Sequence, residues 1–147
     1  METRLELKKV EPAAYLAMNS LENYVNKSGL DKTLIKLIKV RASQLNKCAF
    51  CIDMHTKEAR SNGETEQRIY LLNAWRETPF FSPEERAVLE LTEAVTMISE
   101  NQVPNSVYEE VSRYFSETEI AKLLMAIVTI NAWNRIAITT KMIPGTY

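Results

Sequence analysis

Glycine and proline are scarce, three and five among 147 residues. With so little material for tight turns and long loops, a hairpin-rich β protein is a poor fit, and no segment shows the alternating period of a strand. A glycine-rich phosphate loop, an internal repeat and a low-complexity stretch are all missing. Neither sign of charge dominates. Eighteen Lys and Arg against nineteen Asp and Glu leave a formal net charge of −1, so nothing electrostatic favours nucleic acid or an anionic membrane. The first residues, Met-Glu-Thr-Arg-Leu-Glu-Leu-Lys-Lys, lack the apolar core of a signal peptide, and we expect a cytoplasmic, reducing setting. The apolar run Leu123 to Trp133, inside Ile120 to Thr140, is interrupted by Thr129 and Asn131 and bounded by Lys122 and Arg135. It falls short of the roughly 20 apolar residues of a membrane span and reads as a buried central helix.

Thiol and imidazole groups are rarer still, and they are not scattered. Both cysteines and the only histidine lie within eight residues, as Cys48-x-x-Cys51-x-x-x-His55. On a helix these spacings place the three side chains on one face. A thiol four residues from an imidazole can lose its proton to it, directly or through one water. A second thiol one turn away can close a disulfide. Thiol–disulfide and peroxide chemistry need that set of thiolate, proton acceptor and resolving thiol. A free cysteine with pKa about 8.5 is only a few per cent thiolate at pH 7, and a helix N-terminus shifts it towards ionisation. Asn46 is expected as the N-cap that puts both cysteines in the first turns, with His55 further in as the proton acceptor. Two blander uses compete: inert buried cysteines, and zinc. Structural zinc wants four ligands, and the chain has no further Cys or His to supply the fourth. We expect no metal and no cofactor.

With 46% apolar residues the chain can build a real core, and its length fits one domain, residues 1–147. Helices are expected over about 12–27, 31–46, the motif to about 62, 65–76, 83–98, a short one from Pro104, and 117–140. Pro12, Asp31, Ser82-Pro-Glu-Glu85 and Ser116-Glu-Thr-Glu119 mark starts, and Gly29 and Gly63 mark stops. The fold class is all-α, a bundle of about seven helices. Arg41 falls on the apolar stripe of the second helix, either snorkelling out or paired with a buried carboxylate, and we favour pairing. Asn131 and Asn134, one turn apart, read as caps or interhelical hydrogen bonds. The last helix is apolar nearly all round, so other helices or a neighbouring subunit must wrap it.

The stretch 41–60 closely resembles the redox motif of the alkylhydroperoxidase D family, within the carboxymuconolactone decarboxylase superfamily. Arg41, Gln44, Asn46, Asp53, Met54, Lys57, Ala59 and Arg60 fit one branch of it. So do Asn73-Ala-Trp-Arg-Glu-Thr78, Ser82-Pro-Glu-Glu-Arg86 and Asn131-Ala-Trp-Asn-Arg135, in the right order over about residues 10–140. The resemblance implies an all-α fold, a homo-oligomer (trimer or hexamer), and thiol-dependent reduction of hydroperoxides. It implies Cys51 as the attacking thiolate, Cys48 as the resolving thiol, and a dithiol reductant, protein or lipoyl in type. Arg41 and Arg135 are candidates for orienting groups. The decarboxylase branch does not rely on a C-x-x-C pair and matches less well.

Two departures qualify the expectation. Family members with a mapped proton relay carry a glutamate twelve residues before the first cysteine, where this chain has Lys36. Some also carry a histidine between the cysteines, where this chain has Ala49-Phe50. The relay is then shortened to His55 with water, filled by another carboxylate such as Glu58, or weak. A thiol–disulfide reductase or redox sensor, and a non-catalytic helical oligomer with vestigial cysteines, remain as alternatives.

Overall fold

Helix starts follow the capping residues. In the computed structural model, which describes residues 2–147, nine α-helices and one 3₁₀ helix form, with no strand among the described residues. They are α1 (Leu7–Val10), α2 (Pro12–Asn26), α3 (Lys32–Leu45), α4 (Ala49–Ser61), α5 (Glu66–Leu71), a 3₁₀ helix (Leu72–Glu77), α6 (Pro83–Thr96), α7 (Ile98–Asn101), α8 (Asn105–Ser112) and α9 (Glu117–Thr140). The Asp31 carboxylate accepts the N–H groups of Thr33 and Leu34 at 2.8 and 3.1 Å. Ser82 with Glu85, and Ser116 with Glu119, form reciprocal capping boxes at the starts of α6 and α9. Each cap satisfies amides that have no partner within the helix, worth about 1 kcal/mol apiece.

The structure departs from expectation at several joints. The count rises above about seven because the one-turn helices α1 and α7 were not foreseen, and because 65–76 splits where Ala74 leaves helical geometry. Helix α6 stops at Thr96, short of Ile98. Asn46 is not the cap of the motif helix. It keeps helical backbone angles as the residue after α3, and its amide is committed to α9. Lys47 then adopts a left-handed conformation, φ +58°, which breaks the helix and makes Cys48 the N-cap of α4.

Helix α9 runs through the middle and packs on α2, α3, α4, α6 and α8. Its Leu123, Ile127 and Ile130 are fully buried with Val25, Ile38, Val88 and Val111. A second cluster (Leu37, Val40, Leu72, Trp75, Phe81 and Leu89) joins α3 and α6 to the 3₁₀ segment. By length and mean hydropathy α9 would suffice to cross a membrane, more than its interrupted run suggested, but half of that window is buried inside the bundle. Its exposed side still carries Leu124, Val128 and Ile138.

Two polar clusters lock the helices that carry the motif. The first is a carboxylate hub: Glu93 on α6 accepts from Arg41 Nε at 2.8 Å, Trp75 Nε1 at 2.7 Å and Arg76 Nη1 at 2.6 Å. Burial pushes the Glu93 carboxyl up, but these three donors outweigh it and hold it below its ordinary value. Arg41 is therefore paired, as favoured. The second is an asparagine seam. Asn46 Nδ2 donates to the Oδ1 atoms of Asn131 and Asn134, both at 2.9 Å, while Asn134 Nδ2 donates to Ser43 Oγ at 3.0 Å and Asn131 Nδ2 to Thr96 Oγ1 at 3.0 Å. It ties the end of α3, and so the start of α4, to α9.

Asn134 is fully buried, and Asn134→Ala strips partners from Ser43 and Asn46 together. The expected loss is about 2–3 kcal/mol of stability, read as a lower urea midpoint at unchanged slope. A loss of a few tenths would show that water replaces the seam.

Candidate active site

The motif helix begins at a sulfur. The Cys48 N–H donates to Ser43 O at 3.0 Å, which holds the residue extended in front of α4. Its Sγ in turn accepts the Cys51 N–H at 3.4 Å. A sulfur at this position faces the unpaired amides and the partial positive charge of the helix start, which favour its anionic form. Cys48 and Cys51 are brought together as a pair, with Cα atoms 5.4 Å apart, a separation that a disulfide can span. Both residues are almost wholly buried, beside Phe50 and Ala137.

One turn further on, His55 is 4% exposed. Its Nδ1 lies 2.9 Å from Glu58 Oε2, and the same oxygen lies 2.5 Å from Lys36 Nζ. The carboxylate thus joins α4 to α3. The hydrogen bond from His55 is the main reason the Glu58 carboxyl is drawn down to about 2; partial burial opposes it and Lys36 assists. Burial pushes the His55 imidazole below its ordinary 6.5, the Glu58 hydrogen bond pulls the other way, and the charge of Lys39 adds to the lowering. The ring is neutral at neutral pH. With Nδ1–H donated to an ionised carboxylate, Nε2 carries the lone pair and is free to act as a base.

A cavity of about 770 Å³ opens onto this group, lined by Cys51, His55 and Glu58 of α4, by Trp133, Ile136 and Ala137 of α9, and by Tyr15 and Glu22 of α2. Cys48 is not among its lining residues. Residues near both ends of the chain complete the wall, among them Leu5, Leu7, Met142 and Tyr147. Tyr147 Oη donates to Asp53 Oδ2 at 2.9 Å, and its ring meets Phe50 edge-on at 5.6 Å. The Arg4 N–H donates to Thr140 O at 2.8 Å, which ties the N-terminal segment to the end of α9.

Of the residues singled out in the sequence, Cys48, Cys51, His55 and Glu58 come together. Arg41 and Arg135 do not reach the cavity: Arg41 is held by Glu93, and Arg135 Nη1 donates to Asn131 O at 3.0 Å. Lys36 stands behind Glu58, in contact with the chemistry but with its charge reversed relative to the relay glutamate. Sequence reasoning missed Lys39 and Glu22. The signal was there, since each is a charged residue flanked at helical spacing by the apolar stripe, as Arg41 is. It also missed the terminal wall, for which the sequence carries no sign. Among the described residues no cluster of three or more His, Cys, Asp or Glu is arranged to hold a metal ion.

An all-α frame with a buried dithiol at a helix start, and an imidazole backed by a carboxylate one turn on, defines a class of helical C-x-x-C-x-x-x-H proteins. The chain belongs to the carboxymuconolactone decarboxylase family, whose model matches residues 12–94. It is 46% identical over 138 residues to the uncharacterized protein YdfG of Bacillus subtilis (strain 168), covering 94% of each chain. The solved structure of a protein of unknown function from Agrobacterium tumefaciens, provisionally described as the antioxidant defence protein AhpD, matches with a TM-score of 0.96. That match has 45% identity and covers 99% of this chain and 100% of that one. Over 57 residues, 39% of this chain and 33% of the relative, it is 33% identical to the alkyl hydroperoxide reductase AhpD of Corynebacterium kroppenstedtii. The resemblance to AhpD read from the motifs stands.

The lowered His55 and Glu58 pKa values fix the sign of the acid response. A depressed group contributes stability above its unfolded pKa and loses it as pH falls through the folded one. His55 therefore costs stability as pH drops below about 6.5, and Glu58 only below about 4.5 towards about 2. Urea unfolding should show the native protein weaker at about pH 5.5 than at about pH 7.5, with the difference largely gone in His55→Gln. An equal loss in the variant would place the titrating group elsewhere.

Proposed function

We propose that the protein is a thiol-dependent peroxidase that reduces hydroperoxides through a Cys48–Cys51 dithiol/disulfide cycle. The observation that carries the proposal is the sidedness of the pair: Cys51, not Cys48, shares a cavity wall with His55, whose Nδ1 is held by Glu58. In the reduced protein His55 Nε2 takes the Cys51 proton. The thiolate attacks the outer oxygen of ROOH, the O–O bond breaks, and the departing alkoxide takes from His55 Nε2 the proton that Cys51 gave up, leaving as ROH. Cys51 is left as a sulfenic acid. The Cys48 thiol attacks that sulfur, water departs, and the disulfide forms. A dithiol then supplies two electrons and two protons to restore both thiols and is itself oxidised to a disulfide. Glu58 fills the relay position that Lys36 cannot: it fixes the tautomer of His55, and that hydrogen bond, assisted by Lys36, keeps it ionised.

A cycle that ends in a dithiol reductant suits a reducing compartment, and the cytoplasm is our assignment. The exposed stripe Leu124, Val128 and Ile138 on α9 supports a homo-oligomer. Both cysteine residues are at most 2% exposed and Cys51 is reached through the cavity, which supports a small hydroperoxide over a folded protein disulfide as the oxidising substrate.

Stopped-flow mixing of the fully reduced protein with an organic hydroperoxide, followed by tryptophan fluorescence and a free-thiol count, tests the proposal. Two thiols per chain should disappear quickly and return with a dithiol. Cys51→Ser should abolish the reaction, Cys48→Ser should stop it at the sulfenic acid, and His55→Gln should slow it roughly 10²-fold or more and move its pH profile upward. Thiols that react no faster than those of a free peptide would refute a peroxidase.

A further inference from the structure

The mechanism above leaves one buried charge unused. Lys39 on α3 is 2% exposed, and its Nζ is paired with a carboxylate oxygen of Glu22 on α2. Glu22 lines the same cavity as Cys51 and His55. Lys36, which holds Glu58, is one turn earlier on α3, so the two ammonium groups share a face of that helix, and α3 packs against α4.

A buried ion pair is a poor device for stability. Both charges must be stripped of water, and a well-packed apolar pair of the same volume usually does as well or better. What an apolar pair cannot do is impose a field on its neighbours. His55 is the neighbour that registers it, where the charge of Lys39 reinforces burial and opposes the Glu58 hydrogen bond. The other charged groups around the ring are few. Its own helix offers Glu58, α3 offers Lys36 and Lys39, and α2 offers Glu22. The chain before α2 adds Glu6 and Lys8 on the cavity wall, whereas α9 presents only uncharged residues there.

We propose that Lys39, anchored by Glu22, is a positioning residue of the dithiol site: a fixed, desolvated cation that acts through His55 on Cys51. The inference rests on reading Cys51 as the attacking thiol and His55 as its base. When the S–H bond breaks and N–H forms at Nε2, the base must be free beforehand. A cation beside the ring opposes standing protonation and keeps Nε2 open to lower pH, and the same positive field favours the thiolate left behind. Glu22 holds the ammonium in place and tempers its charge, so the two partners have opposite effects on the ring.

His55 is the only histidine, so its ring proton resonance titrates without ambiguity. In the reduced full-length protein, Lys39→Met should raise the His55 midpoint by roughly half a pH unit or more, and Glu22→Gln, which leaves the cation unbalanced, should lower it. The acidic limb of Cys51 alkylation should move with it in both cases. Should Lys39→Met fail to fold, the double variant Lys39→Met/Glu22→Leu decides, since an apolar pair replaces the ion pair; its midpoint should rise, by less than in the single variant. An unchanged midpoint in the folded double variant, or shifts of the same sign in Lys39→Met and Glu22→Gln, would overturn the proposal. The titration needs no peroxide turnover: an inactive native protein with the expected shifts would sink the peroxidase and leave Lys39 in its role.

Discussion

One carboxylate oxygen carries the site. Glu58 Oε2 is shared between His55 Nδ1 and Lys36 Nζ, and through it the motif helix is joined to the neighbour that supplies its cations. Without the carboxylate, the imidazole would have no reason to present Nε2 rather than Nδ1 as its free base. Without the lysine, a half-exposed carboxylate would be a weaker anchor. The ion pair is partly solvated, so its worth lies in orientation more than in stability. With a lysine at position 36, the carboxylate that meets the histidine is Glu58 on α4 itself, one turn beyond His55.

Everything that orients Cys51 depends on where α4 starts. The left-handed Lys47 breaks α3 two residues after its last turn, and the Asn46 amide, tied to Asn131 and Asn134, prevents that break from drifting. Cys48 then caps the helix and Cys51 turns into the cavity. The buried polar seam does for the backbone what Glu58 does for the side chains. Both spend hydrogen bonds on position in a part of the molecule where apolar contacts alone would allow sliding. Residues near both ends of the chain, Leu5 and Leu7 with Met142 and Tyr147, line the cavity beside the reacting sulfur.

Much of this was legible beforehand, because it is local. Capping boxes at Ser82 and Ser116, glycine stops at Gly29 and Gly63, and the one-turn spacing of Cys51 and His55 are properties of short windows, and the helices they imply formed. Cys48, however, stands before α4 as its cap and not on the shared face. Arg41 could be read as paired because a guanidinium on an apolar stripe needs a partner, although Glu93, fifty-two residues away, could not be named. The N-cap was misplaced by two residues because Asn46 has the right chemistry for a cap, and only the tertiary demand from α9 takes it away. Lys39 and Glu22 each carried the local sign that Arg41 did, a charge flanked at helical spacing by apolar residues, but that they pair with each other depends on α2 and α3 being brought together. The terminal wall depends wholly on long-range contact and left no local trace.

The central claim is that Cys51 ionises because of the group built around it. The most direct measurement is the pH dependence of Cys51 alkylation in reduced Cys48→Ser protein, where it is the sole thiol. The account predicts a midpoint well below the ordinary value of about 8.5, rising towards it when Glu58 is replaced by Ala. A midpoint at about 8.5 in the protein with Glu58 intact would contradict it, and would leave the dithiol as a buried pair without an activated member.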